Sequence, residues 1–272
     1  FAKGDYEVTV LESTINGDSA AFAEKIISEK PDVVAFSCYI WNITKTIEVC
    51  RLVRESVDCR IVLGGPEAAY RPIDILEKYE FVDFVLSGEG EWTFPDFLDN
   101  MNGNPRLVAG LSFRENGDIV SVPEKEYSET PPSPFCDEFF ESLGGRISYI
   151  ETSRGCPYRC AFCLSGRCSA LRFFEPDRVK NDILRLARSG TQTVKFVDRT
   201  FNANAERANE ILLFIKENYG GEIPENVCFH FEIAGDILKE STFEIPDSVK
   251  IIGDYAFADC YALTSMDITD SV

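Results

Sequence analysis

Apolar and polar positions change period repeatedly along the first hundred residues. Tyr6-Glu7-Val8-Thr9-Val10-Leu11 alternates and predicts a half-buried strand. Ser19 to Ser28 sets Ala20, Ala23, Ile26 and Ile27 at helical spacing, with Asp18 or Ser19 as cap and Pro31 beyond the end. Val33-Val34-Ala35-Phe36-Ser37 is nearly all apolar, as in a parallel strand covered on both faces. A helix follows from Thr44 to Val57, then a strand Ile61-Val62-Leu63 that stops at Gly64-Gly65-Pro66-Glu67. A short helix from Ile73 to Tyr79 precedes a strand from Val82 to Leu86, which stops at Ser87-Gly88-Glu89-Gly90-Glu91. This alternation predicts an α/β fold, a doubly wound parallel sheet over residues 1–105. Such sheets bind ligands beyond the carboxyl ends of their strands, here at residues 37–42, 64–67 and 87–91.

The pattern then loosens. Residues 106–146 read as a linker: a β-hairpin from Gly110 to Val122 with Asn116-Gly117 in its turn, then a Pro- and Glu-rich stretch holding Pro131, Pro132 and Pro134. Phe135, Phe139 and Phe140 are expected to dock it on a core. Residues 147–241 alternate again: strand 147–151, helix 176–188 with Pro176 in its first turn and Gly190 past its end, strand 194–198, helix 205–219 capped by Asn204, and strand 228–233. Strand, helix, strand, helix, strand is part of a parallel barrel, with its active site at the strand carboxyl ends. In residues 242–272, Ile245-Pro246-Asp247-Ser248-Val249 recurs as Ile268-Thr269-Asp270-Ser271-Val272, within the ~20–29-residue period of leucine-rich repeats.

Composition narrows the function. With 46 acidic against 27 basic residues the net charge is −19, which argues against a nucleic-acid partner. No apolar run reaches the ~18 residues of a membrane span. No secretory signal is visible, so the expectation is a cytoplasmic protein in a reducing compartment. A chain beginning at Phe1 rather than Met reads as a fragment.

The chemistry concentrates in Arg154-Gly155-Cys156-Pro157-Tyr158-Arg159-Cys160-Ala161-Phe162-Cys163. Three thiolates this close can hold three irons of a [4Fe–4S] cluster and leave the fourth open. They could equally begin a structural zinc site with Cys168 as fourth ligand. A disulfide framework is disfavoured, because ten cysteines in 272 residues are too dilute. Cys38, Cys50, Cys59, Cys136, Cys228 and Cys260 read as ordinary buried thiols.

The spacing of Cys156, Cys160 and Cys163, with an aromatic before the last, resembles the cluster loop of the radical S-adenosylmethionine (SAM) superfamily. Upstream, Phe36-Ser37-Cys38-Tyr39-Ile40-Trp41-Asn42, Leu63-Gly64-Gly65-Pro66-Glu67 and Gly88-Glu89-Gly90-Glu91 resemble the flavodoxin-like cobalamin-binding domain that precedes many radical SAM barrels. The resemblance implies a [4Fe–4S] cluster on Cys156, Cys160 and Cys163, and SAM against Phe162, Asp198 and Glu232. It implies cobalamin against Ser37, Gly64, Gly65, Glu67, Gly88, Glu89 and Gly90. It further implies cleavage of SAM to a 5′-deoxyadenosyl radical, then methyl transfer or rearrangement on a small-molecule substrate, with flavodoxin or ferredoxin as electron donor. Two departures qualify it. The first, central strand of such a sheet is missing upstream of Tyr6, and strands are missing after Glu232. The tail resembles a surface-protein type of leucine-rich repeat. The second reading is therefore a catalytically incomplete remnant or fusion that acts as a repeat-type interaction protein.

Overall fold

A computed structural model describes residues 6–161, 163, 165 and 171–235, with the side chain of Glu138 left aside. It divides into two compact units, Phe1–Tyr127 and Ser128–Val272.

The first unit follows the alternation closely. Helix α1 spans Ser19–Ser28, and the Asp18 carboxylate accepts from the Ala20 N–H at 2.8 Å, as the cap requires. Strand β1 is Val33–Ser37, helix α2 Ile43–Ser56 and strand β2 Arg60–Gly64. Helices α3 (Pro66–Tyr70) and α4 (Pro72–Lys78) each carry Pro in the first turn, where no N–H is missed. Strand β3 is Phe84–Leu86 and helix α5 Gly90–Asn100. Strands β4 (Leu111–Glu115) and β5 (Asp118–Ser121) form the hairpin, with both Asn116 and Gly117 at positive φ in its turn. The sheet order is β1-β2-β3-β4-β5, parallel from β1 to β3 and antiparallel beyond.

Four expectations change here. The alternation at Tyr6–Leu11 makes no strand: residues 6–10 are exposed, Val10 at 81 %. Strand β1 is accordingly an edge among the described residues, and only Val34 on it is buried, so its apolar run is not covered on both faces. The described strands also run in order without the reversal of a doubly wound sheet. Consecutive right-handed crossovers in one direction put their helices on one face. On that face α1, α2, α3 and α4 cover Val34, Ile61, Leu63 and Val85. The opposite face packs Val62, Leu86, Leu111 and Phe113 against Phe97 of α5. Finally, the hairpin belongs to this sheet rather than to the linker, because β4 pairs with β3.

In the second unit, helix α6 (Asp137–Glu141) precedes strand β6 (Ile147–Ile150). The short strands β7 (Ser153–Arg154) and β8 (Arg172–Phe173) pair antiparallel. Helix α7 (Pro176–Arg188), strand β9 (Thr193–Phe196), helix α8 (Ala205–Asn218) and strand β10 (Cys228–His230) follow. Strands β6, β9 and β10 make a parallel sheet with β9 in the centre. One core joins Ile150, Val194 and Phe196 of the strands to Ile183 and Leu186 of α7 and Ile211, Leu212 and Ile215 of α8. Each Leu or Ile so buried contributes about 1.5–3 kcal/mol. Phe135, Phe139 and Phe140 pack against this core, as expected of docking residues. Among the described residues no helix is long and apolar enough to cross a membrane. The repeat-like tail, Phe162, Cys168 and Cys260 lie outside the described residues.

Candidate functional site

Two sites follow from the topology, one in each unit. In the first, β1 to β3 are parallel, so their carboxyl ends share one edge of the sheet. Ser37 and Gly64 are register partners there. Asn42 fastens the first loop, donating to the Ser37 carbonyl at 3.0 Å and accepting from the Tyr39 N–H at 2.7 Å. The Glu67 N–H donates to the Cys38 carbonyl at 3.1 Å, which ties the second loop to the first. Gly65 has φ +86°, and a Cβ on it would lie 2.7 Å from the backbone N and O of Cys38. The chain itself therefore demands glycine at 65. Gly90 is the opposite case, because a Cβ there meets nothing within 4 Å. Glu89 stands at the cap position of α5 and Gly88 at φ +85° before it. Sequence reasoning passed over Tyr39 and Trp41, which stack with ring centroids 4.6 Å apart and stand 37 % and 64 % exposed at this same edge. The signal was available: three large apolar residues in a row, Tyr39-Ile40-Trp41, inside a loop.

The thiols of this unit are sealed. Cys38 and Cys50 are fully buried and Cys59 nearly so. Burial, with the Glu67 carboxylate adding to it, pushes the Cys38 thiol up to about 12, and burial raises Cys50 and Cys59 as well. Cys136 departs from the buried reading and is exposed, while Cys228 is half-buried.

In the second unit, β6 ends at Ile150 and the chain passes through Thr152 into β7. Pairing of Ser153 with Phe173 and Arg154 with Arg172 closes the neck of the segment that carries the cysteines. Cys156, Cys160 and Cys163 are in no disulfide; Cys160 is exposed and the other two half-buried. Cys156 Sγ lies 3.5 Å from Thr200 Oγ1, just past the carboxyl end of β9, so the loop starts at the barrel-type active edge. A Cys163 N–H to Cys160 carbonyl bond of 3.0 Å makes a tight turn between the last two. Among the described residues, no three His, Cys, Asp or Glu side chains already converge to hold a metal ion. The donor set fits a cluster by chemistry: three soft sulfurs, none in a disulfide and each at least partly exposed, within eight residues of chain.

The two acids expected near SAM part company. Glu232 is exposed beyond β10, and its carboxylate lies 3.8 Å from Lys195 Nζ. Asp198 has no exposed surface. It accepts from Thr152 N at 3.2 Å, from Thr152 Oγ1 at 2.9 Å and from Ser153 Oγ. Burial holds its carboxyl above the usual carboxylate range, although the Ser153 and Thr152 donors and the nearby Arg207 charge pull the other way. Burial in turn lowers Arg207. Its guanidinium donates to the Thr152 carbonyl at 2.6 Å and sits 5.0 Å from the Phe173 ring centre. Thr152, Ser153 and Arg207 carried no signal in the sequence, since Thr, Ser and a helical Arg are ordinary residues until a fold joins them.

With this geometry in place, comparison with known proteins gives a consistent picture. The B12 binding domain family matches residues 1–98, and the Radical SAM superfamily matches residues 150–258. The cobalamin-dependent radical SAM methyltransferase TokK of Streptomyces tokunonensis is 33 % identical over 189 residues, covering 63 % of this chain and 28 % of that protein. Hopanoid C-3 methylase of Methylococcus capsulatus is 28 % identical over 249 residues, covering 80 % of this chain and 43 % of that protein. This chain thus spans less than half the length of either relative. The structure of TsrM from Kitasatospora setae, solved with cobalamin and a [4Fe–4S] cluster bound, shares the fold at a TM-score of 0.64. Its identity is 17 %, over 82 % of this chain and 49 % of that one. The cofactors of the two matched domains are cobalamin, SAM and a [4Fe–4S] cluster. The chain thus carries a B12 binding domain match followed by a Radical SAM superfamily match, and it is similar to cobalamin-dependent radical SAM methyltransferases.

Proposed function

We propose that this chain carries the cofactors of an enzyme that transfers a methyl group to a carbon of a small-molecule substrate. The observation that carries the reading is the trio Cys156, Cys160 and Cys163: three thiols outside any disulfide, at least partly exposed, within eight residues of a loop that leaves the strand-end edge of a parallel sheet. A B12-binding domain match precedes them in the same chain. The chemistry supplied by the bound groups is one-electron cleavage of SAM and carriage of a methyl group on cobalt.

The protein's part is to hold and orient. The three thiols give three irons their protein ligands and leave one open for SAM. Phe162 and Glu232 are proposed to meet SAM. Ser37, Gly64, Gly65, Glu67, Gly88, Glu89 and Gly90 line the first unit's strand ends and are proposed to face the corrinoid. The register pairing of Ser37 with Gly64 and the open space at Gly90 support this assignment. The reductant is a flavodoxin or ferredoxin. TsrM has been solved with tryptophan as substrate, which illustrates the size class.

Anaerobic reconstitution with ferrous iron and sulfide tests the reading. The expected outcome is a brown protein that cleaves SAM to 5′-deoxyadenosine under reduction and takes up methylcobalamin. Zinc in place of iron in the purified protein, or a reconstituted cluster that leaves SAM intact, counts against it.

A further inference from the structure

The cysteine loop is held at its neck by residues remote in sequence. Asp198 follows β9, 46 residues from its partner Thr152, and Arg207 lies on α8, 55 residues from it. Both act on the same two-residue stretch, Thr152-Ser153, which ends three residues before Cys156. All the polar groups of Thr152 are engaged: its N–H and hydroxyl donate to Asp198, and its carbonyl accepts from Arg207 and from the Phe174 N–H at 3.0 Å. Ser153 adds a hydroxyl donor to the same carboxylate and pairs with Phe173 across the neck. Thr152, Ser153 and Asp198 are buried, Thr152 and Asp198 completely. A buried carboxylate is costly unless paired and hydrogen-bonded, and here three donors and a cation meet that cost. Arg207 bears a cost too, since its Nη1 is buried without a hydrogen-bond partner. Both costs are met at one place, the base of the loop that bears the cysteines.

We infer that Asp198, with Arg207, is a positioning residue that locks the Thr152-Ser153 neck and so aims Cys156, and is not a ligand of SAM. The inference rests on the cluster reading above. Asp198 has no exposed surface, and its carboxylate accepts three hydrogen bonds from the Thr152-Ser153 stretch, so what it binds is the neck of the loop. The neck matters because Cys156, three residues on, must be brought to the metal when it binds. A Cys156 delivered at a fixed point reduces the conformational freedom lost in that step.

The experiment compares the parent chain with Asp198→Asn, Thr152→Val and Thr152→Ser after anaerobic loading with ferrous iron and sulfide. The readouts are retention of iron against a chelator, and the electron paramagnetic resonance spectrum of the reduced cluster with and without SAM. Loss of a partner that orients a metal ligand weakens metal affinity by about 10–100-fold. Asp198→Asn and Thr152→Val should therefore release iron at roughly tenfold lower chelator, while Thr152→Ser, which keeps the hydroxyl, holds iron as the parent does. If Asp198→Asn keeps iron as well as the parent and loses only the SAM-dependent spectral change, Asp198 is a SAM ligand and the inference is overturned. Should Asp198→Asn fail to fold by circular dichroism, Thr152→Val decides: parent-like iron retention in that folded variant also overturns it. A parent that takes up no iron sinks the cluster reading itself, and this inference with it.

Discussion

Each unit holds a group of three cysteines, and the two groups could hardly differ more in surroundings. Cys38, Cys50 and Cys59 sit in the apolar core beneath the first sheet, with thiols that burial makes harder to ionise. Cys156, Cys160 and Cys163 stand on a loop with solvent access. A thiol becomes a ligand when it can shed its proton and reach a metal, and becomes packing when it can do neither. What separates the groups is the element that carries them. The first three lie at the end of a strand, within a helix and just before a strand, all facing a filled core. The last three lie where the chain leaves a strand edge, on a loop whose neck is held by β7–β8 pairing and by Asp198.

The largest effect should come from replacing one member of the second group. Any of Cys156→Ala, Cys160→Ala or Cys163→Ala should abolish the stable cluster and with it SAM cleavage, measured by iron and sulfide content and by 5′-deoxyadenosine. Cys50→Ala should keep the cluster and cost about 1 kcal/mol of stability, as burial of a small apolar group would suggest. If Cys50→Ala bleaches the protein as fully, the division between packing and ligand thiols is broken.

Next in size is a glycine contrast beside Cys38. Gly65→Ala forces a Cβ to 2.7 Å from the Cys38 backbone at positive φ, and should destabilise the cofactor-free chain by about 1–3 kcal/mol in denaturant melts. Gly90→Ala meets open space and should leave that stability unchanged. If the corrinoid lies at this edge, Gly90→Ala should instead weaken cobalamin uptake followed by absorbance.

Alkylation reads the comparison directly. In metal-free protein at pH 8, iodoacetamide should modify Cys160 and Cys136 quickly and leave Cys38 and Cys50 untouched until the chain is unfolded, as peptide mass mapping would show. Rapid modification of Cys50 in folded protein would mean that its core is open.

The smallest effect is a pH slope. The Cys38 thiol ionises near 9.0 when unfolded and near 12 when folded. Above pH 9 the unfolded chain loses this proton while the folded one keeps it, so stability should fall as pH rises from about 9 towards 12. Cys38→Ala should flatten that part of the curve in thermal melts relative to the parent.

Local chemistry was written plainly in the chain. Asp18 starts α1, Asn116-Gly117 turns the hairpin, and Pro176 and Gly190 bracket α7, because caps, turns and dihedral limits act over a few residues. The three cysteines were legible for the same reason: their spacing alone limits what they can bind. Helix α5 was missed because Gly90 at its start and Pro95 inside it oppose the helix, and burial of Phe97 overrides them. Tyr6–Leu11 shows the converse: it has the alternation of a strand, yet it pairs with no strand among the described residues.

The sequence by itself thus determined which short segments become helix or hairpin and that the chain alternates as an α/β protein, and it singled out Cys156, Cys160 and Cys163 as the candidate ligand set. Only the tertiary structure decided that β1 is an edge, that the hairpin completes the first sheet, that Gly65 serves its own backbone, and that Asp198 faces Thr152 and Ser153. Pairing and burial depend on which distant segments meet, and no window of a few residues contains both partners.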